Sequence, residues 1–395
     1  MRDVGEAAGR RAFLRSSMAA GVLTLGGCAT AGARPIAAAG FAPRPLVPPI
    51  EARMERVFNI TVCLRPFRSA GPRLDTEHVG ETLVVHNYGH GGSGWSLAWG
   101  SGAVAVRQAM ARGAREIAVV GAGALGLTAA VLAQRAGAKV TLYARDLIHE
   151  TRSARATGTW SPDSRIALTR AAAPEFPALW EEMCRASYKA HLAYLGLADA
   201  PVEWTDRYTL SDGEGAPHLD PIGFAQYRSR IPDLHPRSVA LEPDEHPFPV
   251  ARARRGPSLT FNITALGHLL MREFVQAGGR IERREFHTPA EFGQLPEKVA
   301  INCTGYGARA LWKDETLVPV RGQIAWLTPQ PEANYGLYFD NVSLLARRDG
   351  IVVQALGPDE SWGYGDDNET PDLAEAEAAV RTMARLFPKA PSRAG

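Results

Sequence analysis

The chain carries almost no net charge and few cysteines, and each shortage excludes a class of protein. Lysine and arginine number 44 against 42 acidic residues, a net charge of +2, which gives no electrostatic basis for binding nucleic acid. Four cysteines in 395 residues cannot form a dense disulfide framework. With 45% hydrophobic and 22% charged residues, the composition excludes a disordered, a collagen-like or a polytopic membrane protein.

Metal binding and thiol redox chemistry also lack support. His86 and His90 have no further ligands at the spacing of a zinc site. Cys63, Cys184 and Cys303 form no C-x-x-C pair. We therefore expect no metal centre and no redox-active dithiol.

The first 33 residues have the features of an export signal. Arg10 and Arg11 begin a twin-arginine pattern, and an apolar run over 18–25 follows that is too short to span a bilayer of about 30 Å. The sequence ending in Cys28 resembles a lipobox, in which Cys28 would carry a lipid anchor; cleavage at an Ala-rich site is the alternative. We predict twin-arginine export to the periplasm and a Pro- and Ala-rich linker over 34–56.

A glycine-rich loop between two predicted strands indicates a dinucleotide site. A buried strand over 116–120 leads into G-x-G-x-x-G, a helix follows over 127–136, and a second strand covers 139–143. Such glycines let the backbone approach a pyrophosphate at the helix N-terminus. The second strand leads to Asp146, which can accept hydrogen bonds from ribose, and to Arg145, which could instead hold the phosphate of NADP. The predicted binding residues of the loop are Gly121, Gly123, Ala124, Leu125 and Gly126.

A second glycine-rich turn precedes this loop in the sequence. A strand over 82–85 ends in the turn 86–95, and the helix 96–112 follows. Four glycines within six residues beside a helix start favour a ligand contact. The candidate residues are Gly89, His90, Gly91 and Gly92.

Several motifs together resemble the D-amino-acid oxidase family. They are Leu64-Arg65-Pro66, Gly71-Pro72-Arg73-Leu74, His86-Asn87-Tyr88-Gly89-His90-Gly91-Gly92, Ala144-Arg145-Asp146-Leu147, Ile301-Asn302-Cys303-Thr304-Gly305 and Val320-Arg321-Gly322-Gln323. The resemblance implies an FAD-dependent enzyme that removes a hydride from Cα of a small amino acid, with a D-amino acid expected. The product would be an imino acid, which becomes a 2-oxo acid and ammonia.

The motifs do not follow the family's usual order. In ordinary members the dinucleotide loop comes first and the His-Asn-Tyr-Gly-His-Gly-Gly segment last, so this chain is expected to be circularly permuted. The resemblance implies an α/β fold with an FAD-binding Rossmann-type domain and an α+β substrate domain containing an antiparallel sheet. We assign 57–160 and 245–315 to the FAD-binding domain, with 57–105 equivalent to the family's C-terminal segment. We assign 161–244 and 316–395 to the substrate domain.

The resemblance also assigns roles to single residues. Arg65 would hold the substrate carboxylate, and Thr304 and Gly305 would lie beside FAD. Where the family has two pocket tyrosines, this chain has Phe339 and Ser343, so Tyr338 is taken as the catalytic candidate, with Tyr335 and Trp362 as nearby alternatives.

Two other functions stay open at this point. One is an NAD(P)-dependent reductase built on 117–146, and the other is a periplasmic flavin-binding module without turnover. The electron acceptor, O₂ or a membrane-linked carrier, and the oligomeric state do not follow from the sequence.

Overall fold

The computed structural model describes residues 47–111, 113–213 and 219–388. The predicted export signal with Cys28, and residues 34–46 of the predicted linker, lie outside the described residues. Among the helices of these three ranges, none is both long and apolar enough to cross a membrane.

The described strands form one sheet of six strands and one of eight. The helices are α1 (Gly94–Met110), α2 (Ala124–Arg135), α3 (Phe176–Leu192), α4 (Ile263–Gln276), α5 (Ala308–Leu311) and α6 (Leu373–Ala384). The strands are β1 (Val57–Arg68), β2 (Thr76–Val79), β3 (Thr82–His86), β4 (Glu116–Val120), β5 (Lys139–Ala144), β6 (Val202–Ser211), β7 (Val239–Leu241), β8 (Arg252–Phe261), β9 (Arg280–Arg283), β10 (Val299–Asn302), β11 (Leu317–Leu327), β12 (Tyr335–Phe339), β13 (Val342–Arg347) and β14 (Gly350–Ala355).

The six-stranded sheet has the order β2-β3-β10-β4-β5-β9, and all its pairs are parallel except β2 with β3. Its central strands are apolar on both faces because helices cover one face and the segment 286–312 the other. The predicted strand-loop-helix-strand unit is confirmed, although α2 begins at Ala124 rather than at residue 127.

The segment ahead of the dinucleotide loop completes this same sheet. Strand β3 pairs with β10, and β10 pairs on its other side with β4. Helix α1 lies against α2, where the Thr128 hydroxyl donates to the Ala98 carbonyl at 3.1 Å. The part of 57–105 that forms β2, β3 and α1 therefore packs beside the unit 117–143, as a circularly permuted chain requires, whereas β1 pairs with β11.

The eight-stranded sheet has the order β1-β11-β14-β13-β12-β6-β8-β7 and is antiparallel except for the pair β12 and β6. One face packs on α6, where Leu337, Leu344 and Val353 meet Val380 and Met383. The opposite face carries Gly322, Ile324 and Gln354 toward a cavity. Successive side chains along its strands therefore point alternately into the core beneath α6 and toward the cavity.

The packing of the described residues differs from the predicted domain division at three places. Strands β1 and β8 lie in the eight-stranded sheet, although the division assigns them to the FAD-binding domain. Residues 47–56 are also not a free linker, because Ile50 is 1% exposed and the Tyr335 hydroxyl donates to the Pro48 carbonyl at 2.6 Å. Helix α3, assigned to the substrate domain, packs on α1. Local sequence pattern identifies an element, but its distant partner decides which sheet or layer it joins.

Candidate active site

A cavity opens where the carboxyl ends of the parallel strands face the eight-stranded sheet. Its wall combines the loop after β4, the turn before α1, the turn after β10, and parts of β1, β11 and β14. In open parallel sheets, ligands bind at this edge because several loops converge there.

The loop after β4 requires glycine at the predicted positions. Gly121 has a φ of +107°, and a Cβ there would lie 2.4 Å from the Cys303 carbonyl oxygen. A Cβ on Gly126 would lie 1.7 Å from the Gly121 carbonyl oxygen. Gly123, Ala124 and Leu125 line the cavity, so the N-terminus of α2 can present N–H groups to a phosphate.

Arg145 and Asp146 follow β5 and line the cavity together. The Arg145 guanidinium lies 2.7 Å from Asp146 and 3.0 Å from Glu285. The NADP interpretation needs the Arg145 cation to bind a phosphate, but these two carboxylates already neutralise it. Asp146 remains the candidate for the ribose hydroxyls.

The turn before α1 contains a buried histidine with no hydrogen-bond partner on either ring nitrogen among the described residues. This residue, His90, is 1% exposed and lines the cavity beside Gly91 and Gly92, and burial lowers its pKa to about 3. A neutral imidazole without a partner is costly to bury, so its nitrogens indicate contact with a ligand. Gly89 does not reach the wall; its φ of +89° shapes the turn against the Arg68 side chain.

The turn after β10 brings Thr304 and Gly305 to the wall beside the β4–α2 loop, because β10 pairs with β4. The Thr304 hydroxyl donates to the Asn302 side chain at 2.8 Å, and Gly305 has a φ of +59°. Both predicted residues therefore line the cavity with Gly123.

Arg65 reaches the cavity from β1. Its guanidinium lies over Gly322 of β11, where a Cβ would come within 2.4 Å of Nη2, and Nη1 donates to the Arg321 carbonyl at 3.2 Å. Arg65 makes no ion pair with any described residue, and burial lowers its pKa to about 10. A partly buried guanidinium of this kind is suited to an anionic ligand.

The structure does not bring Tyr338 to the cavity wall. Its hydroxyl donates to the Asn341 side chain at 3.0 Å, at the turn between β12 and β13. Asp340 and Asn341 both have positive φ, 49° and 56°, as in a tight two-residue hairpin. The hydrogen bond to this turn holds the Tyr338 hydroxyl at the end of the hairpin. Phe339 lies on the other face of the strand and packs into the core.

Several wall residues have no local signal in the sequence. The Ser153 hydroxyl accepts from the Ala124 N–H at 3.0 Å, and Arg155 lies 3.8 Å from Glu369. These side chains belong to a short 3₁₀ helix after β5 (Arg152–Arg155), and only tertiary packing aims them at the cavity. Thr159 and Gln354 also line the cavity only because of how distant segments pack.

The profile of the FAD dependent oxidoreductase family matches residues 116–394. The chain belongs to this family. FAD is therefore the cofactor of this oxidoreductase, and the α/β fold with a Rossmann-type domain is the family's fold. The glycine loop, Asp146 and the unpartnered nitrogens of His90 fit the pyrophosphate, a ribose and the polar edge of a ring system.

The relatives of this oxidoreductase include enzymes that act on amino acids. The D-amino-acid oxidase of Streptomyces coelicolor is 29% identical over 288 residues, which cover 69% of this chain and 78% of the relative. The D-amino-acid oxidase of Rubrobacter xylanophilus is 26% identical over 277 residues, which cover 69% and 77%. Among solved structures, glycine oxidase from Geobacillus kaustophilus aligns with a TM-score of 0.48 at 12% identity, covering 69% of this chain and 79% of that chain.

Proposed function

We propose that this oxidoreductase removes a hydride from Cα of a small amino acid, a D-amino acid in the first instance, to give an imino acid that hydrolyses to a 2-oxo acid and ammonia. The observation that carries the proposal is Arg65, a partly buried guanidinium that lines the cofactor cavity and forms no ion pair with any residue in the described part of the chain. The D-amino-acid oxidases of Streptomyces coelicolor and Rubrobacter xylanophilus support the same substrate class.

The chain's own residues position the substrate and stabilise charge. Arg65 pairs with the substrate carboxylate through two parallel hydrogen bonds and thereby fixes the orientation of Cα. Bound FAD supplies the acceptor for the hydride. The start of α1 offers backbone N–H groups and the positive end of its dipole, which stabilise negative charge that develops in the cavity. An uncharged substrate amine needs no acid–base dyad from the protein.

The proposal is tested on the purified holoenzyme with a panel of D- and L-amino acids, aerobically and anaerobically. We expect D-amino acids to bleach the flavin absorbance when O₂ is excluded, and 2-oxo acid to form in turnover. A flavin that no amino acid bleaches would contradict the function. The aerobic arm distinguishes O₂ from a membrane-linked carrier as the electron acceptor, because only an oxidase turns over without an added carrier.

We also propose that the enzyme is exported to the periplasm by the twin-arginine route, since Arg10 and Arg11 precede a short apolar run. This route carries folded proteins, which suits an enzyme that binds FAD in the cytoplasm. Replacing both arginines by lysine should retain the precursor in the cytoplasm, and replacing Cys28 by alanine should abolish lipid labelling if Cys28 is the anchor site. Export that survives the double replacement would exclude the route.

Finally, we propose that the fold is circularly permuted. The family profile begins at residue 116, the first residue of β4, while the sequence ahead of it supplies β1 to the eight-stranded sheet and β2 and β3 to the six-stranded sheet. The motif that ends the chain in ordinary relatives therefore precedes the dinucleotide loop here.

A further inference from the structure

Gln354 of β14 carries a buried amide without a hydrogen bond. The residue is 4% exposed and lines the cavity, yet its side chain bonds to no residue within the described ranges. Two other buried glutamines show the usual arrangement. Gln323 donates to the Asp372 carbonyl at 2.7 Å and accepts from the N–H of the same residue at 2.6 Å. Gln330 accepts from the Glu51 N–H at 2.8 Å. Because an unpaired buried amide is costly, Gln354 indicates contact with a bound molecule.

The strand register places Gln354 on the cavity face of the eight-stranded sheet. Ala325 of β11 lies opposite Val353 of β14, and this antiparallel register continued by one residue puts Gln354 opposite Ile324. Cross-strand partners share a face, and both of these side chains line the cavity. Gly322 lies on the same face because it precedes Ile324 by two residues on β11.

Arg65 and Gln354 are close enough to bind two groups of one small molecule. The Arg65 guanidinium lies over Gly322, which is the diagonal neighbour of Gln354 across the β11–β14 pair. Diagonal neighbours on adjacent antiparallel strands have Cα atoms about 7–8 Å apart, a distance that long side chains bridge. An amino acid whose carboxylate pairs with Arg65 therefore has its other substituents within reach of the Gln354 amide.

The same wall favours an uncharged group beside Gln354. Among the residues of the eight-stranded sheet that line the cavity, Arg65 is the only charged one. The acidic wall residues Asp146 and Glu285 follow strands of the other sheet and pair with Arg145. A cationic or anionic side chain would therefore find no counter-charge from this sheet other than Arg65 itself. The amide offers an acceptor and two donors, which match a neutral amide or hydroxyl group.

The neighbour of Gln354 on its other side leaves room for such a group. Its partner on β13 is Ser343, a short side chain, and the strand order places β13 beyond β14 as seen from β1 and Arg65. The α-amine of the substrate is bonded to Cα and stays beside the carboxylate, whereas a side chain can extend away from Arg65. The substrate side chain is therefore the group that reaches Gln354.

We propose that Gln354 hydrogen-bonds the side chain of the substrate, so that the preferred substrate is an amino acid with a short, uncharged polar side chain. This inference rests on the proposed function, in which Arg65 holds the α-carboxylate. Gln354 is then a substrate-binding residue that determines specificity.

The test compares amino acids of nearly equal shape that differ in polarity, asparagine with leucine and threonine with valine, in the D form and the L form. For the wild-type holoenzyme, kcat/KM should favour the polar member of each pair, because an apolar side chain leaves the buried amide unpaired.

Replacement of the amide isolates its contribution. Gln354→Met keeps a side chain of similar length, and it should lower the asparagine-to-leucine ratio of kcat/KM by about tenfold or more. Gln276→Met, which makes the same replacement at an exposed position in the last turn of α4, should leave the ratio unchanged. Gln354→Asn serves if the methionine variant does not fold. It shortens the amide by one carbon and should shift the preference from asparagine toward glutamine.

A binding measurement gives a readout that does not depend on turnover or on the amine. Succinamate and 4-methylpentanoate have the shapes of asparagine and leucine without the amino group, and each is titrated while the flavin spectrum is followed. The wild type should bind succinamate more tightly, and Gln354→Met should lower the ratio of the two affinities by about tenfold or more.

Three outcomes would overturn the inference. One is a wild type that prefers the apolar member of both pairs. Another is a Gln354→Met variant that loses equally on asparagine and leucine, which would place the amide against the amine, the carboxylate or the flavin. The third is a wild type that binds 4-methylpentanoate as tightly as succinamate. If amino acids bleach the flavin without discrimination within the pairs, only this inference fails; if none bleaches it, the proposed function fails as well.

Discussion

Arg65 is the single residue on which substrate binding depends most directly. Arg65→Ala should raise KM for the amino acid by about 10- to 150-fold, because it removes charge-assisted hydrogen bonds worth about 1.5–3 kcal/mol. Steady-state kinetics on the FAD-loaded enzyme measures this, and bound flavin per chain serves as the control for folding. An active variant with an unaltered KM would remove Arg65 from the site.

The ionisation of Arg65 predicts a pH limit for binding. Burial lowers its pKa to about 10, below the ordinary value of 12.5, so the guanidinium is charged below pH 10 and loses its proton as the pH rises through that value. The dissociation constant of a short alkyl carboxylate should therefore be flat from pH 7 to 9 and increase above pH 10. A carboxylate without an amino group avoids titration of the ligand itself. Affinity that stays constant to pH 11 would contradict this.

At the scale of a single element, the β4–α2 turn depends on Gly126. A Cβ there would lie 1.7 Å from the Gly121 carbonyl oxygen, a backbone atom that moves only with the loop itself. Gly126→Ala should therefore lower bound FAD per chain severalfold, measured by flavin absorbance after gel filtration. Gly213→Ala is the matched control, since nothing lies within 4 Å of its added Cβ. Equal flavin content in both variants would show that the loop does not hold the cofactor.

Elements with strong local pattern were predictable from the sequence, whereas their placement was not. The run 116–143 combines a buried strand, glycines and an apolar helix, so local propensity and motif agree, and the unit forms as predicted. Strand β8 carries no mark of its pairing with β6, so the sequence predicts it in the FAD-binding domain. The family resemblance points to Tyr338, but its hydroxyl bonds the Asn341 side chain at the end of the hairpin, a contact that its position in the sequence does not reveal.

At the scale of the whole molecule, buried histidines predict a loss of stability in acid. His191 is 0% exposed, packs 4.4 Å from the ring of Phe261, and has a pKa lowered to about 4 by burial. The unfolded chain, with the ordinary pKa near 6.5, binds more protons between pH 4 and 6.5. The stabilising contribution is thus complete above pH 6.5 and is lost as the pH falls, by about 1.4 kcal/mol per pH unit.

His191→Gln removes this titration while keeping a donor for the Trp95 carbonyl, which lies 3.0 Å from Nε2. The variant should be less stable than the wild type at pH 7, because it loses ring packing, but its free energy of unfolding should fall less steeply toward pH 4.5. Denaturant unfolding at several pH values, with FAD in saturating excess, gives both slopes. Parallel curves would mean that His191 does not control the acid response.

The connectivity of the whole chain yields the last prediction. Val47 and Met54, near the start of the described chain, pack on the same hydrophobic cluster as Leu386 and Phe387 near its end. A short linker can therefore join the two ends, and loop closure of this kind costs little additional entropy as the linker lengthens. The connection between α1 and β4 is exposed at Ala111, Gly113 and Arg115, so new termini there break no core contact.

A rearranged chain that starts at Gly113, runs to residue 388, and continues through a glycine–serine linker into residues 47–111 restores the family's usual order. It should fold, bind one FAD per chain, and oxidise the same amino acids, because every strand keeps its neighbours. Thermal unfolding followed by flavin fluorescence measures the result, and the same linker appended to the natural C-terminus is the control. A rearranged chain that accumulates without flavin, beside a control that binds it, would mean that the order of segments is required for folding and would count against a permuted origin.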